Sequence, residues 1–357
     1  MHIQRLFIFP IKSLLPVEVE EAEVTHTGFK YDRSFILIDG AKANNQANQP
    51  SSLTRHLTIK TLSKLCLFQP SIDASSQSHS SPVLRVRHTL TNSEIAFPLA
   101  PVLETLQHAT EFTIEIFGTR ATGIDMGNEI AAWFSNHLER SARLLYIGNG
   151  GSGMRDIVAP ALIPRKQQSR SMLLSSWLHG EEEELHEQKI QFADAAPLLI
   201  TTVSSERDAS SRVPRETVMD GDEDVIIRFR SNIHIDNTAS EAEHAQVMET
   251  GEFSLFPPYA EEQWKTLEIF PTNTAESDAP LHLDLVFNTV RCQSLNVDFR
   301  TGGLVPPERQ LYKLLAKDRH INPAFPYKPC FGRYAFAEPF GRKVRVGDVV
   351  VVKERVN

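Results

Sequence analysis

The strongest constraint in this chain is its supply of short segments with a period of two, separated by turn residues. LPVEVEEAEV (15–24) alternates apolar and acidic residues, and alternation is visible again in RSFILID (33–39). Successive side chains on a strand point to opposite faces, so this pattern suits a half-buried strand. RLFIFPI (5–11) precedes both, and Gly28 supplies a turn between them. Further strands are predicted at 57–68, 83–88, 111–117 and 144–148. In the second half DAAPLLITTVSS (194–205) reads as a strand entering a helix or turn. VIIRFRSNIHID (225–236) reads as a strand and LHLDLVFNTVRCQSLNVD (281–298) as one or two. KVRVGDVVVVKE (343–354) reads as a hairpin around Gly347. NEIAAWFSNHLERS (128–141) carries Ile130, Ala131, Trp133, Phe134 and Leu138 on one helical face. PPERQLYKLLAKDR (306–319) opens on proline and reads as a short helix. There is no internal repeat. Many short strands with few helices predict a β-rich α+β protein built on barrels.

The 357 residues suggest about two domains. Residues 40–56 are rich in Asn, Gln and Ser and read as a loop, and residues 237–260 as a long polar connection. The best boundary is 149–190, which starts in the glycine-rich GNGGSG (148–153) and carries four glutamates at 181–184. It divides the chain into 1–148, a linker or insertion at 149–190, and 191–357.

A net charge of −8 argues against a general nucleic-acid binder. Cys66, Cys292 and Cys330 are too few for a disulfide framework or an ordinary iron–sulfur cluster, and no CxxC pair offers a zinc-finger site. No stretch approaches the roughly 20 apolar residues of a membrane span. The basic start faintly resembles a presequence, but its apolar run Leu6–Ile11 ends at Lys12 and strand alternation follows. A soluble, cytoplasmic protein is expected, with a mitochondrial association left open.

A lone cysteine in a β segment is ordinarily a small buried hydrophobe. Cys292 has two features that point further. Arg291 is adjacent, and the segment ends in the turn-like DFRTG (298–302). A thiolate is a soft ligand suited to a transition metal. Lys12 and Ser13 end the first strand, Arg33 lies in YDRSF, and Arg228 and Arg230 lie in RFRSN. Each alone is a surface cation, but as a set at strand ends they can clamp a phosphate. No Walker motif is present, and GNGGSG has no helix-forming run after it, so a nucleotide fold is poorly supported. Asn232 follows Arg230 by two and is expected on the same strand face, where its amide could meet a heterocycle or simply end the strand. Asp194 is either a cap or a site carboxylate. Tyr334 is either core or a hydroxyl presented to a site. The 13 histidines form no HExxH or HxxxH group, so a catalytic zinc is not expected.

FPIKS (9–13), GFKYDRSFILID (28–39), DAAPLLI (194–200), RFRSNI (228–233), RCQSLNVDFRTG (291–302) and PCFGRY (329–334) occur in that order. This ordered set resembles the MOSC-domain molybdenum-cofactor proteins with their N-terminal β-barrel domain. It is nearest the amidoxime-reducing components, which also resemble the C-terminal part of molybdenum cofactor sulfurase. The resemblance spans residues 3–353. It implies an N-terminal β-barrel domain followed by a MOSC β-barrel domain with a few helices. It implies molybdopterin with molybdenum as cofactor, with Cys292 as metal ligand and catalytic residue. Lys12, Ser13, Arg33 and Arg230 would hold the pterin and its phosphate, and Asp194, Asn232, Arg291 and Tyr334 would line the site. Three departures stand out. Ala195 and Ala196 replace hydroxyl residues, Ser231 replaces the proline of RFRPN, and no TxRxxP segment is legible in NNQANQPSSLTRH (44–56). Mammalian-type members carry an N-terminal membrane anchor, whereas this chain starts directly at the domain.

The implied activity is reduction of N-hydroxylated compounds such as amidoximes or hydroxylamines by oxygen-atom removal. Without cysteines for its own cluster, the chain would need an external electron donor, by family analogy a b-type cytochrome and its flavin reductase. Two alternatives stay open: a cofactor carrier or sulfur-transfer module that uses Cys292, and a non-catalytic descendant that keeps the fold.

Overall fold

The computed structural model describes residues 1–41, 53–73, 82–106, 109–148, 153–156, 189–214, 225–238, 256–272 and 279–356. Its centre is a closed barrel of seven strands. Around the barrel run Ile233–Asp236, Leu198–Thr202, Cys330–Glu338, Leu281–Val290, Trp264–Phe270, Val349–Arg355 and His2–Ile8, which pairs again with Ile233–Asp236. The pairing of Leu198–Thr202 with Ile233–Asp236 is parallel; the other neighbours are antiparallel. The alternation seen in the sequence does its expected work here. Leu281, Leu283 and Leu285 are buried while His282, Asp284 and Val286 face out. The buried set joins Ile3, Leu6, Ile233, Leu267 and Ala335 in the barrel interior. Closure removes the exposed strand edges that a sheet of this size would otherwise present.

The N-terminal half adds a four-stranded sheet (Phe35–Asp39, Ala142–Tyr146, Thr119–Asp125, Glu111–Ile116) and a three-stranded one (Phe68–Asp73, Val83–His88, Glu94–Pro98). The helix Asn128–Leu138 lays Ile130, Phe134 and Leu138 on their shared core, at the i, i+4, i+8 spacing read from the sequence. The β-rich α+β expectation with a barrel and few helices therefore holds. The barrel takes its first strand, His2–Ile8, from the N-terminal end of the chain.

Three expected elements differ. VIIRFRSNIHID is not one strand: Val225–Phe229 forms a helical turn and only Ile233–Asp236 is strand. Tertiary packing overrides β propensity here, because Phe229 stacks on Phe331 with ring centroids 3.6 Å apart. The strand expected over 57–68 is instead a short 3-10 segment, Ser63–Leu67, leading into Phe68–Asp73. KVRVGDVVVVKE turns at Gly347 (φ +91°), but its two arms do not pair with each other. Lys343–Arg345 joins Glu21–Thr25, and Val349–Arg355 joins Trp264–Phe270. The glutamate run at 181–184 and most of the expected 149–190 linker lie outside the described residues, as does most of 237–260.

Gly28 brings the N-terminal segment against the barrel. It has φ +104°, and a Cβ there would lie 2.8 Å from the Pro197 carbonyl oxygen. Only glycine tolerates both conditions.

Candidate functional site

One end of the barrel gathers five stretches far apart in sequence: 9–13, 32–33, 191–194, 230–232 and 291–292. Backbone bonds lace the first three. Arg33 N–H donates to the Phe9 carbonyl at 2.7 Å, Lys12 N–H to Phe35 at 2.8 Å, and Phe192 N–H to Arg33 at 3.2 Å. Among the described residues eight non-glycines have positive φ, and three are Ser13 (72°), Arg33 (52°) and Arg230 (59°). Such conformations cost roughly 1–2 kcal/mol each and persist only where the surroundings fix them, most often at functional sites.

The side chains form a buried cationic cluster. The Lys12 ammonium donates to the Phe192 carbonyl at 2.8 Å and to the Asp194 carboxylate. Burial pushes its pKa down to about 8, although Asp194 acts the other way. Arg33 donates to the Asp32 carboxylate, to the Asn232 amide oxygen at 3.0 Å and to the Arg230 carbonyl at 3.3 Å. Arg230 donates to the Leu14 carbonyl at 2.8 Å and lies over the Phe9 ring. Burial, then Arg33, depress its pKa. For Asp194, burial acts to raise the pKa, but Lys12, Arg33 and Arg230 outweigh it and hold the carboxyl at about 2.

Cys292 follows directly. It is exposed, at the start of the 3-10 turn Gln293–Asn296, with its sulfur 3.0 Å from the Ser294 hydroxyl. Arg291 is buried and donates to the Phe229 carbonyl at 2.6 Å, so the direct partner of the thiol is Ser294 rather than the adjacent arginine. Tyr334 is close enough to Asp194, Arg291, Arg33 and Cys292 for all to act on its hydroxyl. Burial, reinforced by Asp194, raises its pKa, so the hydroxyl stays protonated. The residues named from the sequence thus converge. The strand expected to carry both Arg230 and Asn232 is a turn at Arg230, and Arg33 bridges the two instead.

Asn232, considered above for a heterocycle contact, has partners within the fold. Its amide donates to the Phe7 carbonyl at 3.2 Å and its oxygen also accepts from Leu199 N–H at 3.2 Å. It is a structural tie whose oxygen accepts two bonds and whose amide donates one within the fold. Ser231, in the position of the family proline, accepts from the Thr201 hydroxyl at 2.8 Å and is buried. The 44–52 part of the segment searched for TxRxxP lies outside the described residues.

Sequence reading missed Arg155. This fully buried guanidinium donates to the carbonyls of Gln191 (3.2 Å), Ile116 (2.8 Å), Ala193 and Asp194 (3.2 Å), and to the Thr119 hydroxyl at 2.6 Å. Lys12 and Arg155 therefore grip the same 191–194 turn. His56 also escaped notice. Burial, then Lys12, push its pKa down to about 4, so it stays neutral beside the cations. No motif marks either residue.

The cofactor that the sequence resemblance implies can be tested against this geometry. Lys12, Arg33, Arg155, Arg230 and Arg291 act on one another and on Asp194, while Asp194 and Asp32 are the carboxylates acting within the cluster. Buried cations in excess of their counter-charges favour an anionic ligand. The donor set fits a phosphate-bearing group, and the exposed Cys292 fits a metal ligand at its rim. Among the described residues no three His, Cys, Asp or Glu side chains gather as a metal site, so the chain would offer one thiolate and the cofactor the remaining ligands.

Comparison with known proteins agrees with this arrangement. The MOSC N-terminal beta barrel domain matches residues 1–141 and the MOSC domain residues 187–351. Molybdenum cofactor sulfurase of Drosophila willistoni is 27% identical over 234 residues, covering 66% of this chain but 23% of that protein. Mitochondrial amidoxime-reducing component 1 of Mus musculus is 23% identical over 98% of this chain and 81% of its own length. Mitochondrial amidoxime reducing component 2 of Homo sapiens is 24% identical over 98% and 82%. The chain thus spans between 15% and 27% of the length of the sulfurases it matches. Among the described residues no helix is long and apolar enough to cross a membrane.

Proposed function

We infer the function of this chain from its membership of the MOSC-domain proteins, since it carries both the N-terminal β-barrel domain and the MOSC domain. We propose that it binds the molybdenum cofactor and reduces N-hydroxylated compounds such as amidoximes or hydroxylamines. The observation that supports this reading is the surplus of cations, buried at Lys12 and Arg291 and half-buried at Arg33 and Arg230, beside the exposed thiol of Cys292.

In this reading Lys12, Arg33 and Arg230 hold the phosphate, with Ser13 placed among them by its left-handed backbone. Cys292 supplies the thiolate that ligates the metal. Arg291, buried and next to Cys292 in the chain, donates to the Phe229 carbonyl. Tyr334 keeps its proton and can donate a hydrogen bond into the site. Asp194 stays ionised and fixes the Lys12 ammonium. When bound, the molybdenum would supply the two-electron chemistry that removes oxygen from the substrate. Electrons would arrive from an external donor such as a b-type cytochrome with its flavin reductase. The match to the amidoxime-reducing components over 98% of this chain and 81–82% of theirs favours this reading. The same reading keeps 1–148 and 191–357 as the two domains.

The sulfurase relatives motivate a second reading, a cofactor carrier or sulfur-transfer module that uses Cys292. One experiment separates the readings. The protein is purified from a host that makes the cofactor, and molybdenum and pterin per chain are measured for wild type, Cys292→Ser and Arg230→Ala. Amidoxime reduction is then assayed with a reduced viologen. Reductase function requires metal in the wild type, turnover, and loss of turnover in Cys292→Ser. Metal without turnover supports the carrier, and no metal in any form overturns both.

A further inference from the structure

We propose that Phe9 is a positioning residue for the anion-binding cations: its ring holds the guanidiniums of Arg33 and Arg230 together, ready for a single phosphate. The inference rests on the proposed function only in giving those two arginines a phosphate to hold.

Phe9 follows the strand His2–Ile8 and is 1% exposed. Its ring belongs to the apolar cluster of Phe229, Leu295, Leu311 and Phe331. Two half-buried guanidiniums nevertheless lie over that ring, Arg230 at 4.4 Å and Arg33 at 4.8 Å from its centroid. The backbone of Phe9 is tied to the same pair. Its N–H donates to the Asp32 carboxylate at 2.8 Å, and its carbonyl accepts from Arg33 N–H at 2.7 Å. Asp32 in turn accepts from the Arg33 guanidinium. The edges of the two cations are set as well, since Arg33 donates to the Asn232 amide oxygen and the Arg230 carbonyl, and Arg230 to the Leu14 carbonyl.

Two cations brought together repel, and Arg33 is, after burial, the largest cause of the depressed pKa of Arg230. The face of an aromatic ring is negative, so it attracts both guanidiniums and offsets part of that repulsion. A carboxylate in the same place would neutralise the pair and compete with an anionic ligand. The ring does neither. A guanidinium stacked by its face also keeps its further edge donors free to fork onto phosphate oxygens. Such a ring suits a site that keeps its charge until a phosphate arrives.

The test replaces Phe9 in the intact, metal-free chain by mono-, di- and trifluorophenylalanine, which keep its shape while drawing charge from the ring face. Calorimetric titration with inorganic phosphate measures affinity, and thermal unfolding checks the fold. Affinity is expected to fall with each added fluorine, by roughly fivefold across the series, at an unchanged unfolding temperature. Phe9→Leu, which keeps apolar bulk without a π face, should fall at least as far. Fluorination of Phe7, whose ring carries Arg5 at 4.8 Å, is the control and should leave phosphate binding as it is. Affinity that ignores fluorination at Phe9, or rises with it, would overturn the proposal, because the ring would then be filler or a competitor of the anion. An equal fall at Phe7 would overturn it too, and so would a wild type that binds no phosphate. Molybdenum content tests the proposed function separately. A chain that takes up no metal while its phosphate affinity tracks the ring sinks that reading and keeps this one.

Discussion

Arg33 and Asn232 lie 199 residues apart in the chain, and the guanidinium of one donates to the amide oxygen of the other at 3.0 Å. Asn232 also ties Phe7 and Leu199, so this one amide joins the first strand, the parallel strand pair and the cation cluster. The tie is 1% exposed, and water cannot replace it.

Asn232→Ala leaves the Phe7 carbonyl, Leu199 N–H and one Arg33 donor without this partner. Each buried group left unpaired costs about 1–3 kcal/mol, so a total loss of about 2–4 kcal/mol is expected. Urea unfolding of the metal-free chain measures it. A change below about 0.5 kcal/mol, the range of an ordinary surface substitution, would show that the amide is not a structural tie.

Lys12 makes anion binding depend on pH. Its ammonium is protonated below about 8 and attracts a phosphate, and it loses that charge as pH rises through about 8. Titration of the metal-free chain with inorganic phosphate should show affinity falling across that range. Lys12→Arg should remove the fall, because guanidinium stays charged. Stability moves the opposite way. Between about 8 and the ordinary 10.5 the unfolded chain holds the proton more tightly, so the folded form gains as pH rises.

Arg155→Lys keeps the charge but cannot span the carbonyls of Ile116, Gln191, Ala193 and Asp194. The 191–194 turn should loosen. Amide hydrogen exchange at Phe192 through Asp194 should speed up relative to the barrel strands, with a stability loss of about 2–3 kcal/mol. Unaltered exchange in that turn would mean that Lys12 alone fixes it.

Glu261 sets a second pH dependence, away from the site. Its side chain is fully buried, one carboxylate oxygen accepts from the hydroxyls of Thr202 (2.9 Å) and Ser205 (2.8 Å), and the other has no partner. Burial raises its pKa to about 7, despite those hydroxyls. In the unfolded chain it titrates near 4.5. The folded state therefore keeps a proton that the unfolded state releases, and stability falls between about 4.5 and 7. The slope is about 1.4 kcal/mol per pH unit. Glu261→Gln should flatten that part of the stability profile; an unchanged slope would assign it to other groups.

Alternation made the long strand Leu281–Val290 legible, because a barrel wall with one buried face needs that pattern. It could not settle 225–236, where apolar residues are dense enough for strand or helix. The stack of Phe229 on Phe331, about a hundred residues away, decides that case. It also could not say that the arms flanking Gly347 part company, since their partners lie at Glu21–Thr25 and Trp264–Phe270. At the site, the cations were legible as a set through family resemblance. Arg155 was not, because it sits in a stretch with the composition of a linker. Ser294 was not, because a hydroxyl two residues from a cysteine meets it only when the chain makes a tight turn there.

The barrel closes through His2–Ile8, whose neighbours within the ring are Ile233–Asp236 and Val349. No early part of the chain can complete that ring alone. A nascent polypeptide could pair its first strand with the short Val17–Val19 at once, but its partners in the ring come only after some 230 residues, and then nearly 350, have left the ribosome. Such high contact order makes for slow folding. Lys12 and Arg33 meet Arg230 and Cys292 only once segments more than 190 residues further along the chain are in place, so this cluster is a product of barrel closure and not of any one local segment.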